Sequence, residues 1–139
     1  DGAIIKIGRN CQLDNGDLIL VASTLKNSKI IFGDEVYCAR GLLIRNNDGH
    51  TLIDATTQKA LNPPKDVIIG NHVWIASKCT ILKGTEIPDN TMVAACSLVN
   101  KKFTEENTIL AGSPAKIIRK NVSWDTKSYC EYIDEIILI

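Results

Sequence analysis

An all-β parallel β-helix, a solenoid that buries its core only by stacking coils, is the fold this sequence predicts, and three regularities predict it. Six aliphatic residues stand six apart, at Ile69, Ile75, Ile81, Ile87, Val93 and Val99. Two positions before each is a small or β-branched side chain: Val67, Val73, Cys79, Thr85, Thr91 and Ser97. Gly, Asn and Asp gather in the same phase, just after the inward pairs. An α-helix repeats at about 3.6 residues and an ordinary strand alternates at about two, so neither produces a corner at every sixth position. A short strand followed by a bend does, and three such sides make one coil.

From the N-terminus, the comb begins with Ile7, Leu13, Ile19 and Leu25, preceded two positions earlier by Ile5, Cys11, Asp17 and Ser23. Asp17 breaks the pattern, which implies a side that is open to water or distorted. A one-residue slip after Leu25 restarts the phase at Phe32, Cys38 and Ile44, with Ile30, Val36 and Leu42 before them, and a bulged corner near Asn27-Ser28 would account for it. Corners are expected at Gly8, Gly33 and Gly70, directly after an inward residue, and one position later at Asn15, Asn27, Asp34, Asn71 and Asp89. These residue types tolerate left-handed dihedrals at low cost.

The comb is interrupted once in mid-chain, over about 45–66, from Arg45 through Asp48-Gly49-His50 to Asn62-Pro63-Pro64-Lys65. A loop of this length in a compact repeat protein is uncommon without a function. After Val99 a final strand, Thr108-Ile109-Leu110-Ala111-Gly112, leads into Ser113-Pro114-Ala115-Lys116. Residues 1–120 are therefore expected to form the solenoid. The remainder, 121–139, has Trp124, Tyr129, Tyr132, Ile133, Ile136 and Ile137, and could form a short helix that caps the last coil.

Composition narrows the function classes. At 139 residues the chain is long enough for one domain with a sizeable core. Its 16 basic and 16 acidic residues balance, which argues against a nucleic-acid surface. No apolar run approaches the roughly 18 residues of a membrane span. No signal peptide is visible, and the chain opens on Asp1-Gly2-Ala3 inside a repeat, which leaves a missing N-terminal segment open. Five cysteines, Cys11, Cys38, Cys79, Cys96 and Cys130, show no CxxC pair or zinc spacing. The first three fall at inward positions, where a thiol acts as a small hydrophobe, and the set reads as reduced packing residues of a cytoplasmic protein.

If the residues of each pair point inward, the residue between them points out. One face then stacks Leu18, Tyr37, Trp74 and Met92, an apolar and aromatic column of the kind that marks an interface or a ligand surface. Trp74 is its most telling member, because Val73 and Ile75 on either side are committed to the core.

Gly70-Asn71-His72-Val73-Trp74-Ile75-Ala76, the hexads through Val99-Asn100-Lys101, and Ala111-Gly112-Ser113-Pro114-Ala115-Lys116 together resemble the hexapeptide-repeat acyltransferases. The closer resemblance is to the bacterial polysaccharide O-acetyltransferases, carried by Asp48-Gly49-His50, Asn62-Pro63, Trp74 and the ending Ile117 to Trp124. It covers roughly residues 30–125; Asn100 and Cys96 depart from the Thr and Gly that are more familiar there. The resemblance implies a left-handed parallel β-helix, acetyl-CoA as co-substrate, a saccharide acceptor and a homotrimer with active sites between neighbouring solenoids.

Acetyl transfer from a thioester to a hydroxyl needs a base, and an imidazole titrates near the working pH. The chain has two histidines, His50 in the inserted loop and His72 at a corner beside Trp74. The resemblance gives the base role to His50. Asp48 is a candidate to orient its imidazole, with Asp54 or a backbone carbonyl as alternatives, and Trp74 would wall the thioester or the sugar. For coenzyme A, the resemblance points to Ala76 and Ala95, small enough for pantetheine to lie close. Lys101, Lys116 and Arg119, in a cluster with Lys102 and Lys120, suit its phosphates. A zinc-dependent enzyme on the same scaffold needs three histidines, so no metal is expected. Two alternatives remain open: transfer to a small sugar, an amino sugar or serine, and a catalytically silent scaffold.

Overall fold

The computed structural model describes residues 2–13, 17–25 and 27–137, and in it the chain winds as a triangular solenoid. The first coil contains β1 (Ile4–Lys6), β2 (Gln12–Leu13) and β3 (Leu18–Val21), and the second β4 (Lys29–Phe32), β5 (Tyr37–Cys38) and β6 (Leu42–Arg45). The third contains β7 (Val67–Ile69), β8 (Trp74–Ile75) and β9 (Thr80–Ile81), and the fourth β10 (Glu86–Ile87), β11 (Met92–Val93) and β12 (Leu98–Val99). Equivalent strands stack in parallel, so the first side is β1-β4-β7-β10, the second β2-β5-β8-β11 and the third β3-β6-β9-β12. The second side is extended by β13 (Thr108–Gly112), parallel to β11, and by β14 (Ala115–Lys120), antiparallel to β13.

The inward pairs form one continuous core. Ile30 with Phe32, Val36 with Cys38, Leu42 with Ile44 and every pair from Val67/Ile69 to Ser97/Val99 is buried. Each fully buried Val, Leu or Ile contributes roughly 1.5–3 kcal/mol of transfer free energy, which a single coil could not collect by itself. Two inward hydroxyls donate to backbone carbonyls: Thr85 Oγ1 to that of Val99 at 3.0 Å and Thr91 Oγ1 to that of Asp89 at 3.1 Å.

The first coil departs from the expected phase. Leu18 pairs with Leu42 and Leu20 with Ile44, so these two face the core, and Ile19, expected inside, faces out at 54% exposure. The extra residue thus lies between Leu13 and Leu18, not after Leu25, and a one-residue shift exchanges the faces of a strand. Asp17 is then no anomaly, because its position is not an inward one. Leu25 is 56% exposed, in a connection that lengthens the corner between the third and first sides. The same shift takes Leu18 out of the outward column and puts Gln12 beside Tyr37 instead.

The corner residues act differently from expectation. Gly8, Gly33 and Gly70 stack at the corner between the first and second sides. A Cβ on Gly33 would lie 2.6 Å from the Gly70 carbonyl carbon, and one on Gly70 2.4 Å from Asp89 Oδ1. Close stacking, not a left-handed dihedral, therefore demands glycine at these positions. The left-handed φ falls two residues later, at Asn10, Glu35, His72 and Asn90, between 52° and 57°. Asp34, Asn71 and Asp89 form a side-chain ladder instead. Arg9 N donates to Asp34 Oδ1, Asp34 N to Asn71 Oδ1 and Asn71 N to Asp89 Oδ1, each at 2.7–2.8 Å. Asn27 does take a left-handed φ, 63°, and Asn15 lies outside the described residues.

The tail is first tied to the segment after β12, where Val122 N donates to the Asn107 carbonyl at 3.1 Å and Asn107 Nδ2 to the Val122 carbonyl at 3.2 Å. Trp124 runs back to the second and third coils, where it meets Tyr37, His72 and Trp74. The helix α1 (Tyr129–Ile137) is started by a capping box, in which Ser128 N donates to Glu131 Oε2 at 2.7 Å, and it leaves Tyr129, Tyr132 and Ile136 exposed.

Candidate active site

The inserted loop, 46–66, leaves the corner between the third and first sides and is braced there. Asn62 is its keystone: Oδ1 accepts from Leu52 N at 2.7 Å, and Nδ2 donates to the His50 carbonyl at 2.9 Å and to Asp48 Oδ2 at 2.8 Å. Lys83, on the corner after β9, donates from Nζ to Asp48 Oδ2 at 2.5 Å and to the Asn62 and Pro63 carbonyls at 3.3 Å. This cation, and next Asn62, hold the Asp48 carboxyl below the ordinary aspartate range. Asp48 thus fastens the loop to the solenoid and does not hydrogen-bond to the His50 ring. Asp54 is also committed, accepting from Thr56 N and Thr57 N at 3.0 and 2.6 Å within its own turn. His50 is exposed, and among the described residues its ring has no hydrogen-bond partner.

His72 is placed very differently. Its Nε2 faces the Trp124 carbonyl at 3.1 Å, its Nδ1 lies 3.4 Å from Glu35 Oε2, and its ring stacks on Trp124 with centroids 4.3 Å apart. Trp124 Nε1 returns a hydrogen bond to the His72 carbonyl at 2.9 Å. Among the described residues, then, His72 has partners at both ring nitrogens and the His50 ring has none.

Trp74 sits on the outer face of the second side, in a column Gln12, Tyr37, Trp74, Met92, Ile109. Its Nε1 is buried and, among the described residues, has no hydrogen-bond partner. In a triangular cross-section this face lies opposite the corner from which the loop leaves, so the strand topology puts the root of the loop and Trp74 on different parts of the prism.

Ala76 and Ala95 lie on successive coils at the corner between the second and third sides, where Ala76 N donates to Val93 O and Cys96 N to Ser77 O. Lys101 and Lys116 line one groove of about 290 Å³ at the end of the solenoid. Arg119 stands outside it, opposite Ile109 in the β13–β14 hairpin. The basic cluster divides by partner. Lys102 pairs with Glu86 and Lys120 with Glu105, whereas Lys101, Lys116 and Arg119 have no carboxylate partner among the described residues. Among the described residues there is no group of three His, Cys, Asp or Glu able to hold a metal, and no helix is long and apolar enough to cross a membrane.

Lys83 and Glu35 complete these arrangements without a sequence signal, whereas Trp124 stood out only as part of the tail and of the resemblance. Asn62-Pro63 was visible as part of the resemblance; Lys83, 35 residues from Asp48, carried no local signal.

No protein-family model matches the chain. The polysialic acid O-acetyltransferase of Neisseria meningitidis is 38% identical over 125 residues, 90% of this chain and 56% of that protein. The polysialic acid O-acetyltransferase of Escherichia coli O1:K1 is 28% identical over 96% of this chain and 42% of that protein. The chain thus spans about half the length of these curated relatives. Among solved structures, the polysialic acid O-acetyltransferase OatWY superposes with a TM-score of 0.82 at 33% identity, covering 99% of this chain and 71% of that one. With its coils, its interrupted comb and this likeness taken together, the chain belongs to the hexapeptide-repeat acetyltransferases, whose solenoid is a left-handed β-helix.

Proposed function

We propose that this protein transfers an acetyl group from acetyl-CoA to a hydroxyl of a sugar or polysaccharide, with His50 as general base. The observation that carries the proposal is the state of His50: an exposed imidazole without a partner, on a loop whose backbone is fixed by Asn62, Asp48 and Lys83. The other histidine is consumed by Trp124 and Glu35. Support also comes from the relatives, which are named as polysialic acid O-acetyltransferases.

In this reaction His50 accepts the acceptor's hydroxyl proton as the oxygen attacks the thioester carbonyl. The tetrahedral adduct collapses by breaking the C–S bond, and the imidazolium returns the proton to the departing thiolate. The fit to coenzyme A rests on three features of the chain. Trp74 Nε1 is a buried donor without an acceptor, Ala76 and Ala95 leave a corner clear of bulk, and Lys101, Lys116 and Arg119 are cations not neutralised by carboxylates. Because the root of the loop and Trp74 lie on different parts of one prism, the working site takes the loop of one copy and the Trp74 face of another, which a homotrimer supplies. Five free thiols and an acetyl-CoA requirement suit the cytoplasm.

The test is acetyl-CoA turnover across a saccharide panel. His50→Ala should lower kcat by on the order of 10²–10⁴, and undiminished turnover would remove His50 from the role. Mixing His50→Ala with Trp74→Ala protein should restore part of the activity, because mixed oligomers contain one intact composite site. No recovery after subunit exchange would refute the two-copy site.

A further inference from the structure

We propose that the hollow beside Trp124 is a subsite for a neutral sugar unit of the acceptor, one coil away from Trp74. This rests on the saccharide-transfer reading above and adds to it the charge class of the acceptor.

The hollow measures about 310 Å³ and is lined by Asn10, Gln12, Glu35, Tyr37, Trp124 and Asp125, among others. That volume is near the lower end of small-molecule sites, about the size for one ring rather than a chain. Its aromatic wall is unusually well fixed for a tail residue. Trp124 is stacked on His72, hydrogen-bonded to it in both directions and met edge-on by Tyr37 at 6.4 Å and 66°. A rigid ring face of this kind suits the apolar C–H face of a pyranose. Around it stand two carboxamides, which both donate and accept, and two carboxylates, which accept from hydroxyls. Hydroxyl-rich, uncharged rings match that inventory.

The sign of the charge decides between saccharide classes. Among the described residues no Lys or Arg lines the hollow, while Glu35 and Asp125 do. Arg9, the cation on the neighbouring corner, is spent on Asp34 at 2.8 Å. His72, which also lines the hollow, is committed to Glu35 at 3.4 Å and to the Trp124 carbonyl at 3.1 Å, so a sugar bearing a carboxylate would meet two carboxylates and no free cation. The relatives named for polysialic acid act on an acidic polymer, so this chain is expected to differ from them in acceptor. Position links the hollow to the proposed transfer site. Tyr37 pairs directly with Trp74 across one strand spacing, about 4.8 Å, so a unit held here leaves its neighbour in the chain over Trp74.

The experiment is saturation-transfer NMR on the full chain with neutral hexose, deoxyhexose and N-acetylhexosamine oligomers, and with oligosialic acid. Neutral oligomers should bind, oligosialic acid should not, and Tyr37→Ala and Glu35→Gln should each weaken neutral binding tenfold or more. Glu35→Gln changes one atom of an exposed side chain and keeps an oxygen acceptor for His72 Nδ1, so the stack that holds Trp124 is retained. Neutral binding that both variants leave unchanged, equal binding of oligosialic acid, or no neutral binding at all would overturn the subsite. The two readings separate cleanly. Neutral binding lost in Tyr37→Ala, with no turnover of any acceptor, sustains the subsite and sinks the transfer reading. Turnover with KM indifferent to Tyr37→Ala does the reverse.

Discussion

Replacing Gly33 by Ala tests whether the glycine ladder is a packing device, since its reasoning runs through coil spacing alone. The added Cβ would lie 2.5 Å from Asn71 Oδ1 and 2.6 Å from both the carbonyl carbon and oxygen of Gly70. Ordinary contacts begin near 3.4 Å, so the second and third coils must separate by most of an ångström at this corner. Two hydrogen bonds cross the same spot, Gly33 N to Ile69 O and Asp34 N to Asn71 Oδ1, both at 2.8 Å. Overpacking costs about 1–3 kcal/mol, and each weakened hydrogen bond adds about 1 kcal/mol. The sum is about 3–5 kcal/mol, which for a chain of this size lowers Tm by on the order of 10–20 °C. In a solenoid the damage sits at one coil interface and is not shared across the molecule. Calorimetry at fixed protein concentration is the assay, with Gly2→Ala as control, because a Cβ there meets nothing within 4 Å. A Gly33→Ala protein melting within about 3 °C of the parent would refute the stacking account and return the ladder to a dihedral explanation.

Lys83→Met should lower kcat by on the order of 10- to 100-fold with His50 intact, because small displacements of a positioned base are costly; Lys83→Arg should recover much of it, and a kcat within twofold of the parent would show that the brace does not position the loop. Asp48 is depressed by Lys83 first and Asn62 second, so its contribution is fully present above the ordinary aspartate value of 3.8 and is lost as pH falls through its lower folded value. Protease resistance of 46–66 should therefore hold between pH 5 and 8 and fail only below the usual carboxylate range, and a transition near neutrality would contradict the pairing. Burial pushes the Cys38 thiol up to about 12, with Cys11 and Cys79 adding to it. In the native protein a thiol reagent should accordingly label exposed Cys96 and Cys130 and spare Cys38, as mass spectrometry of the labelled chain would show; rapid labelling of Cys38 would mean that the second coil opens.

What could be read from sequence was the part of the fold written in local spacing. Every inward pair from Ile30/Phe32 to Ser97/Val99 follows from the six-residue comb, because strand, corner and burial repeat together there. The first coil misled because Ile19 keeps the period by coincidence while Leu18 and Leu20 do the packing, and periodicity cannot tell one phase from its neighbour when both are aliphatic. Gly33 was legible as a corner but not for its reason, which is a contact with Gly70 in the next coil. The site was less legible still. His50 and Trp74 stood out by residue type and setting, yet the groups that fix them are remote: Lys83 is 35 positions from Asp48, and Trp124 is 52 from His72. Spacing says which way a side chain points from its strand; it does not say what a tail or a loop is laid against.

The position of the loop follows from what a three-sided solenoid can tolerate. Each side is held to the next coil by backbone hydrogen bonds, so extra residues fit only at corners. This chain places the connections after β3 and after β6 at the same corner, and the first supports the second. Asn46, fully buried at the base of the inserted loop, accepts from Ser23 N at 2.6 Å, and its own amide donates to Val21 O at 3.2 Å. Its carbonyl then takes Lys65 N at 3.1 Å, while Asp66 Oδ1 takes Lys29 N at 2.8 Å, so both ends of the loop are tied to the coil beneath. Lys83 holds the loop from the coil above through Asp48. An excursion over 46–66 fastened from below at both ends and from above at its third residue carries little of the entropy that a free loop would. The irregular part of the chain is thus ordered by the regular part on either side of it, and that order presents, beyond the corner, the imidazole that the proposed two-copy site requires.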